Sequence, residues 1–159
     1  MKKAKTSAQN IVNRRARFDY ELGEEIVAGM SLRGVEVRAV RDGRVSLKGA
    51  FVTLRNGKKG AELWLNNASF SLKNQGQGAQ KSDEIDTSPK KLLATRKQIN
   101  DFAAQKQAGF TIVPLKILAE GRFIKIVIAL GKGKKLHDKR ETIKRRQAER
   151  ENAKLLKRW

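Results

Sequence analysis

His137 is the only histidine of the chain, and it lies in the run GKGKKLHDKRE at Gly131–Glu141, among two glycines and four lysines. A phosphate loop, a metal site or an RNA contact are the chemistries such a run suggests. A nucleotide-binding loop needs a four-residue spacer after its first glycine and a closing Lys-Ser/Thr. GKGKK has neither. A closed zinc sphere needs four nitrogen or sulfur ligands, and the chain offers one histidine and no cysteine. Asp83, Glu84 and Asp86 could hold magnesium as a nuclease would. Their surroundings, KNQGQGAQKSDEIDTSP at 73–89, have almost no apolar residue and read as a long mobile loop unable to fix ligand geometry. A solvated acidic patch is the expectation there. Nucleophilic catalysis needs a hydroxyl beside an activating base, and with His137 in a basic segment no triad can be read. The expectation is therefore no catalytic residue, no metal and no cofactor: a binding protein rather than an enzyme.

The partner is indicated by charge. Lys and Arg total 36 against 16 acidic residues, a formal net charge of +20. Such an excess calls for a polyanion, either nucleic acid or an acidic membrane surface. No uncharged stretch approaches the ~18 residues that span a bilayer, and the basic N-terminus has no apolar segment behind it as a secretory signal would. Without cysteine, a reducing compartment suits the chain. A cytoplasmic protein with no membrane partner is expected. Residues 2–17 carry six basic side chains and no acidic one, unlike a solvated surface that interleaves both signs. Aromatic residues make up only 6% of the chain, so recognition should rest on shape and phosphate more than on stacking. That favours structured RNA.

The elements that must position these residues divide the chain into a flexible basic N-terminus at 1–12, a β-rich domain at 13–130 and a basic tail at 131–159. Extended segments are expected around Phe18–Tyr20 and Ile26–Met30, divided near Gly23. Over 33–43, Val35, Val37 and Ala39 alternate as in a strand, whereas Val37, Val40 and a terminal Gly43 suit a short helix. Both readings stand, with the helix favoured. GAFVTLR and AELWL flank NGKKG (56–60), a hairpin signal. Ser88 and Pro89 suit the cap and first turn of a helix bearing Leu92, Leu93, Ile99, Phe102 and Ala103 on one face and ending at Gly109. FTIVPLKIL and FIKIVIAL form a second hairpin across AEGR (119–122). Their near-continuous apolar runs should lie deep in the core, with Pro114 at an edge or bulge. The fold class is mainly β with helices: an oligonucleotide-binding-like antiparallel β-barrel of about six strands. The tail holds twelve basic and four acidic side chains in 29 residues. It has no apolar stripe wide enough to pack, so it is expected to be disordered alone and helical on a partner. Leu155, Leu156 and Trp159 are candidates for an end anchor.

NRRARFDY (13–20), AGMSLRGVEVRAVRDGRVSL (28–47), KKLLATRKQI (90–99), TIVPLKI (111–117) and GKGKKLHDKRE (131–141) occur in this order. Together they resemble the SsrA-binding protein (SmpB) family, over nearly the whole chain. The resemblance implies an oligonucleotide-binding-type barrel with added helices. It also implies an RNA-binding adaptor that binds the tRNA-like domain of transfer-messenger RNA and delivers it to stalled ribosomes for trans-translation, catalysing nothing itself. The implied partners are that RNA and the rRNA of the decoding centre and mRNA channel, met by a monomer. A structural ribosomal protein on rRNA is the alternative. RNA-binding positions carried over by the resemblance are Asn13, Arg14, Arg15, Glu36, Lys91, Leu93 and Lys125. Leu93 could equally be core, Lys125 an ordinary outward lysine, and Glu36 half of a structural ion pair. The family's RNA-facing glutamate before AG is replaced by Val27. In the tail, Gly131 and Gly133 would form the exit hinge. Lys134, Lys135, His137, Asp138, Lys139 and Arg140 would contact the ribosome, with His137 suited to stacking and Asp138 to ordering a neighbouring cation or capping a helix.

Overall fold

The computed structural model describes residues 9–73 and 83–156. Its elements in chain order are β1 (Ile11–Val12), α1 (Ala16–Asp19), β2 (Tyr20–Met30), α2 (Gly34–Arg41), β3 (Val45–Ser46), β4 (Phe51–Gly57), β5 (Gly60–Asn66) and β6 (Ser69–Lys73). There follow β7 (Asp83–Asp86), β8 (Lys90–Leu93), α3 (Arg96–Gln107), β9 (Thr111–Leu118), β10 (Lys125–Gly133) and α4 (Leu136–Leu156). One antiparallel sheet runs β1-β9-β10-β2-β8-β5-β4, and a further pairing of β4 with β9 (Val52 with Ile112) closes six of these strands into a ring. A second sheet, β3-β6-β7, stands beside it.

The ring matches the expected six strands, and its interior is the core. Leu63, Leu65, Ile112, Ile117, Ile126, Ile128 and Leu130 point into it, joined by Val40 of α2, Phe70 of β6 and Phe102 of α3. The apolar runs of β9 and β10 have a second cause. Val113, Leu115, Val127 and Ala129 face outward from the ring and are buried by Ala16 of α1, with Tyr20 and Leu22 against them. Burial on both faces removes the polar alternation. Pro114 sits at a bulge as expected, for Val127 pairs with Lys116 and Ile128 with Pro114, leaving Leu115 unpaired.

Residues 33–43 contain helix α2, and the 51–66 hairpin forms with Gly57 opposite Gly60, so that its turn residues are Lys58 and Lys59 rather than Asn-Gly. Several expectations need correction. Phe18 and Asp19 belong to the helical turn α1, and β2 is one strand through Gly23, its pairing with β10 shifting register there, between Leu22 and Glu25, instead of dividing. Ile11–Val12, assigned to the flexible N-terminus, pairs with Lys116–Ile117. The loop expected at 73–89 is bounded by paired strands, β7 lying against β6; residues 74–82, like 1–8 and Trp159, lie outside the described residues. The helix expected from Ser88 begins at Arg96. Lys90–Leu93 is a strand instead, with Leu92 opposite Leu63 and Lys90 opposite Leu65. Thr95 is the cap: its Oγ1 accepts from Gln98 N at 3.3 Å, and Gln98 Oε1 accepts from Thr95 N at 3.1 Å. The local Ser-Pro signal lost to cross-strand burial of Leu92. Gly109, with φ +91°, follows the end of α3 as expected.

β10 runs through Gly133, so the two glycines expected to form a hinge are strand residues opposite Leu22 and Tyr20. α4 follows after Lys134 and Lys135, and none of its described side chains is buried. Leu155 and Leu156 are exposed, so they do not anchor it on the ring.

Candidate nucleic-acid interface

The outer face of β8, β2 and β10 gathers candidates from three distant parts of the chain. Leu93 pairs with Gly29, and Gly29 pairs with Lys125. Directly paired residues share a face, so Leu93 and Lys125 flank the bare backbone of Gly29. A Cβ on Gly29 would meet Leu93 Cβ at 3.4 Å, which shows how closely the leucine lies over that strand. Leu93 is 54% exposed, which decides between its two readings: it is a surface residue, not core. Val27, in the position of the family glutamate, is also half-exposed and lies two residues from Gly29 on the same strand face. Lys91 lies on β8 opposite Trp64, with its Nζ on Glu62 Oε1 at 2.7 Å. That hydrogen bond is the largest influence holding the Glu62 carboxyl below its ordinary value.

Glu36 sits apart from this row. It is 2% exposed, on the first turn of α2. Its Oε2 accepts from Arg33 N at 2.7 Å, and its Oε1 from Arg33 Nε at 3.0 Å and from Lys90 Nζ at 2.7 Å. Lys90 is itself buried and also reaches Asp86 Oδ2 at 2.8 Å and Ser88 Oγ at 2.6 Å, while Arg33 Nη2 meets Asp86 Oδ2 at 2.9 Å. Burial alone would raise the Glu36 pKa; the hydrogen bonds from Lys90 and Arg33 outweigh it and hold it low. Asp86 lies far below its ordinary value, through the bond from Lys90 first and those from Ser88 next. Glu36 is thus part of an ion cluster tying α2 to β7 and β8, with Lys90 a partner alongside the arginine. Asp86, expected in a solvated patch, is a buried-side member of the same cluster.

Asn13 serves the bulge at Pro114. Its Nδ2 donates to Pro114 O at 2.9 Å and its backbone N to Leu115 O at 2.7 Å. Arg14 and Arg15 follow it on the surface and line a shallow groove with Ser46 and Lys48. Among the remaining positions, Gly131 is buried, and a Cβ there would lie 3.1 Å from Tyr20 Cβ and 3.3 Å from Val113 Cγ2. Its requirement is close approach, while the exposed Gly133 meets no such constraint.

The root of α4 rests on α1. Lys134 N donates to Asp19 O at 2.9 Å and its Nζ to Arg17 O at 3.1 Å. Lys139 Nζ meets Asp19 Oδ1 at 3.1 Å, and Lys139 Nζ and Arg146 Cζ each lie 5.9 Å from the centre of the Phe18 ring. Lys135, His137, Asp138 and Arg140 are exposed. The Nδ1 of His137 is 4.0 Å from Asp138 and 3.8 Å from Glu141. Asp138 stands in the first turn of α4, where a negative charge suits the helix dipole. Sequence reasoning missed Phe123, counted as core in FIKIVIAL: it precedes β10 and is 68% exposed. Its two-residue spacing from Lys125 would have placed it outward.

No helix among the described residues is long and apolar enough to cross a membrane, and these residues hold no cluster of three potential metal ligands. A family model described as SmpB protein matches residues 10–158. Among curated proteins, an SsrA-binding protein of Gloeothece citriformis is 45% identical over 148 residues, covering 92% of both chains. One of Halalkalibacterium halodurans is 44% identical, covering 91% of this chain and 90% of that one. A solved structure described as "tmRNA-SmpB: a journey to the center of the bacterial ribosome" is similar with a TM-score of 0.60 at 34% identity, covering 80% of this chain and 85% of its own.

Proposed function

This chain belongs to the SmpB family, and we propose that it binds the tRNA-like domain of transfer-messenger RNA and delivers it to stalled ribosomes for trans-translation. It is an RNA-binding adaptor with no catalysed step of its own, working in the cytoplasm where translation stalls. The observation that carries this reading is the pairing of two cationic parts in one chain: a ring with an outward row at Leu93, Gly29 and Lys125, and a separate basic helix with no buried side chain. The family model covers both parts together.

The parts divide the work. The ring, from Asn13 through Gly133, grips the RNA through Lys91, Leu93 and Lys125, with Arg14 and Arg15 adding phosphate contacts from their groove beside Ser46 and Lys48. Glu36 and Asn13 act by holding the ring elements in place. The segment from Lys134 onward enters the decoding centre and the mRNA channel. There Lys135, His137 and Arg140 meet rRNA, and Lys134 and Lys139 fix the direction in which α4 leaves. Asp138 supports the start of the helix.

Truncation after Gly133 tests the division. Affinity for the tRNA-like RNA should stay within about 3-fold of the full chain, since each charge-assisted contact is worth about 1 kcal/mol or more, while tagging on stalled ribosomes should be abolished. An equal fall in both would overturn it.

A further inference from the structure

We propose that the turn before β10 is a stacking platform for one unpaired nucleobase of the bound RNA, built on Phe123 with Arg122 beside it. The inference rests on the proposed RNA-binding role of the ring and adds a contact of a different kind to it. Phe123 is 68% exposed in a hairpin whose neighbouring apolar residues are buried, Ile124 at 4% and Ile126 at 0%. The backbone beside it sets which side it faces. Met30 N donates to Ile124 O at 3.2 Å, tying the intervening residue to β2 and leaving Phe123 and Lys125 on the outer side. Gly121, with φ +87°, allows the turn, and Arg41 Nη2 of α2 reaches the carbonyls of Gly121 and Arg122 at 3.4 Å each. The ring is thus presented on a braced turn.

The surroundings select the ligand. Arg122 Cζ lies 5.4 Å from the phenyl centre. Asn10, Leu118, Glu120, Arg122, Phe123 and Lys125 line a shallow groove there, and the Leu93–Gly29–Lys125 row continues from its edge. A flat apolar ring flanked by guanidinium and ammonium groups fits a planar base carried on phosphates. Every base has a π-face, so such a platform accepts an unpaired nucleotide without reading its identity. The carboxylate of Glu120 disfavours a phosphate directly over the groove and leaves Arg122 and Lys125 to hold the flanking ones. The chain's net charge of +20 suits an RNA occupant.

The test uses the full chain and the isolated tRNA-like RNA domain, with Phe123→Ala, Phe123→Leu, Phe123→Tyr and Phe123→Trp. Stacking predicts about a 10-fold loss of affinity for the alanine and leucine variants and retention for tyrosine. The tryptophan variant should show RNA-dependent quenching beyond that of the natural chain. Unchanged thermal melting checks that each variant folds. If leucine binds as well as phenylalanine, or if all four bind as the natural chain does while Lys125→Ala is weakened, the platform is wrong and the RNA-binding ring stands. Phe123-dependent binding to anionic vesicles with unchanged RNA affinity would likewise overturn it. If the natural chain shows no preference for this RNA over a random transcript, the functional reading itself fails.

Discussion

At the scale of residues, the ion cluster of Glu36, Lys90, Asp86 and Arg33 makes the firmest predictions. Removing Glu36 leaves buried Lys90 with Asp86 and Ser88 as its remaining partners, so the cost is smaller than that of a fully orphaned buried charge, about 2 kcal/mol. Glu36→Ala should lower the unfolding free energy by about that amount, read from urea denaturation at about pH 7. The pH dependence follows from the directions of the shifts. Both Glu36 and Asp86 titrate below their ordinary values in the folded state, so the unfolded chain binds protons first as pH falls. Their stabilisation is fully present above the ordinary carboxylate range, about pH 4, and is lost progressively below it. Asp86→Asn should therefore lower stability near neutrality and flatten the acid limb of the stability curve; an acid limb as steep as in the natural chain would show that the cluster does not control it. Gly131→Ala is a separate case. Its Cβ would crowd Tyr20 and Val113, and overpacking of this kind costs about 1–3 kcal/mol, measurable as a drop in thermal midpoint. None of this was legible from composition. Glu36 and Lys90 are 54 positions apart and are bonded only in the folded chain, so an isolated acidic run at 83–86 looked solvated. The alternative reading of Glu36 as an ion-pair member was visible because Arg33 lies one helical turn away.

At the scale of elements, legibility followed the range of the forces. The two hairpins at 51–66 and 111–130 are local pairings of neighbouring apolar runs, and both formed where the sequence placed them, although the first turns at Lys58–Lys59 and the second has no alternation because both of its faces are buried. α2 was ambiguous because its eight residues satisfy both periods. Lys90–Leu93 was misassigned because Ser-Pro is a local helix signal, while the strand is decided by Leu92 packing opposite Leu63. α4 poses the opposite problem, since it has helix formers throughout and little to lean on. A basic helix of this length is marginal in water, and its root is held by Asp19 and Phe18. The double variant Phe18→Ala with Asp19→Ala should speed amide exchange in the first turns of α4 by about 3- to 10-fold, as loss of contacts worth about 1 kcal/mol in total would do. Exchange in β9 and β10 should not change. Uniform acceleration through the ring would mean that α1 supports the whole fold rather than the helix.

At the scale of the whole molecule, charge distribution sets how the two parts behave toward polyanions. Each phosphate neutralised releases condensed counterions, so log affinity falls linearly with log salt, with a slope of about −0.7 to −0.9 per contact. A net charge of +20 predicts steep slopes for both the RNA and the ribosome. The division at Gly133 predicts that they have different origins. For the tRNA-like RNA, the slope belongs to the ring and should be the same in the full chain and in a chain ending at Gly133. For the ribosome carrying an empty mRNA channel, the slope should be smaller in the truncated chain, by the number of contacts made from Lys135 onward. Titrations at several salt concentrations, with both chains against both partners, give the four slopes directly. Equal slopes for the two chains on the ribosome would place the ribosomal contacts on the ring and remove the role assigned to α4. A reduced slope on the RNA would place α4 against the RNA that the ring was taken to hold alone.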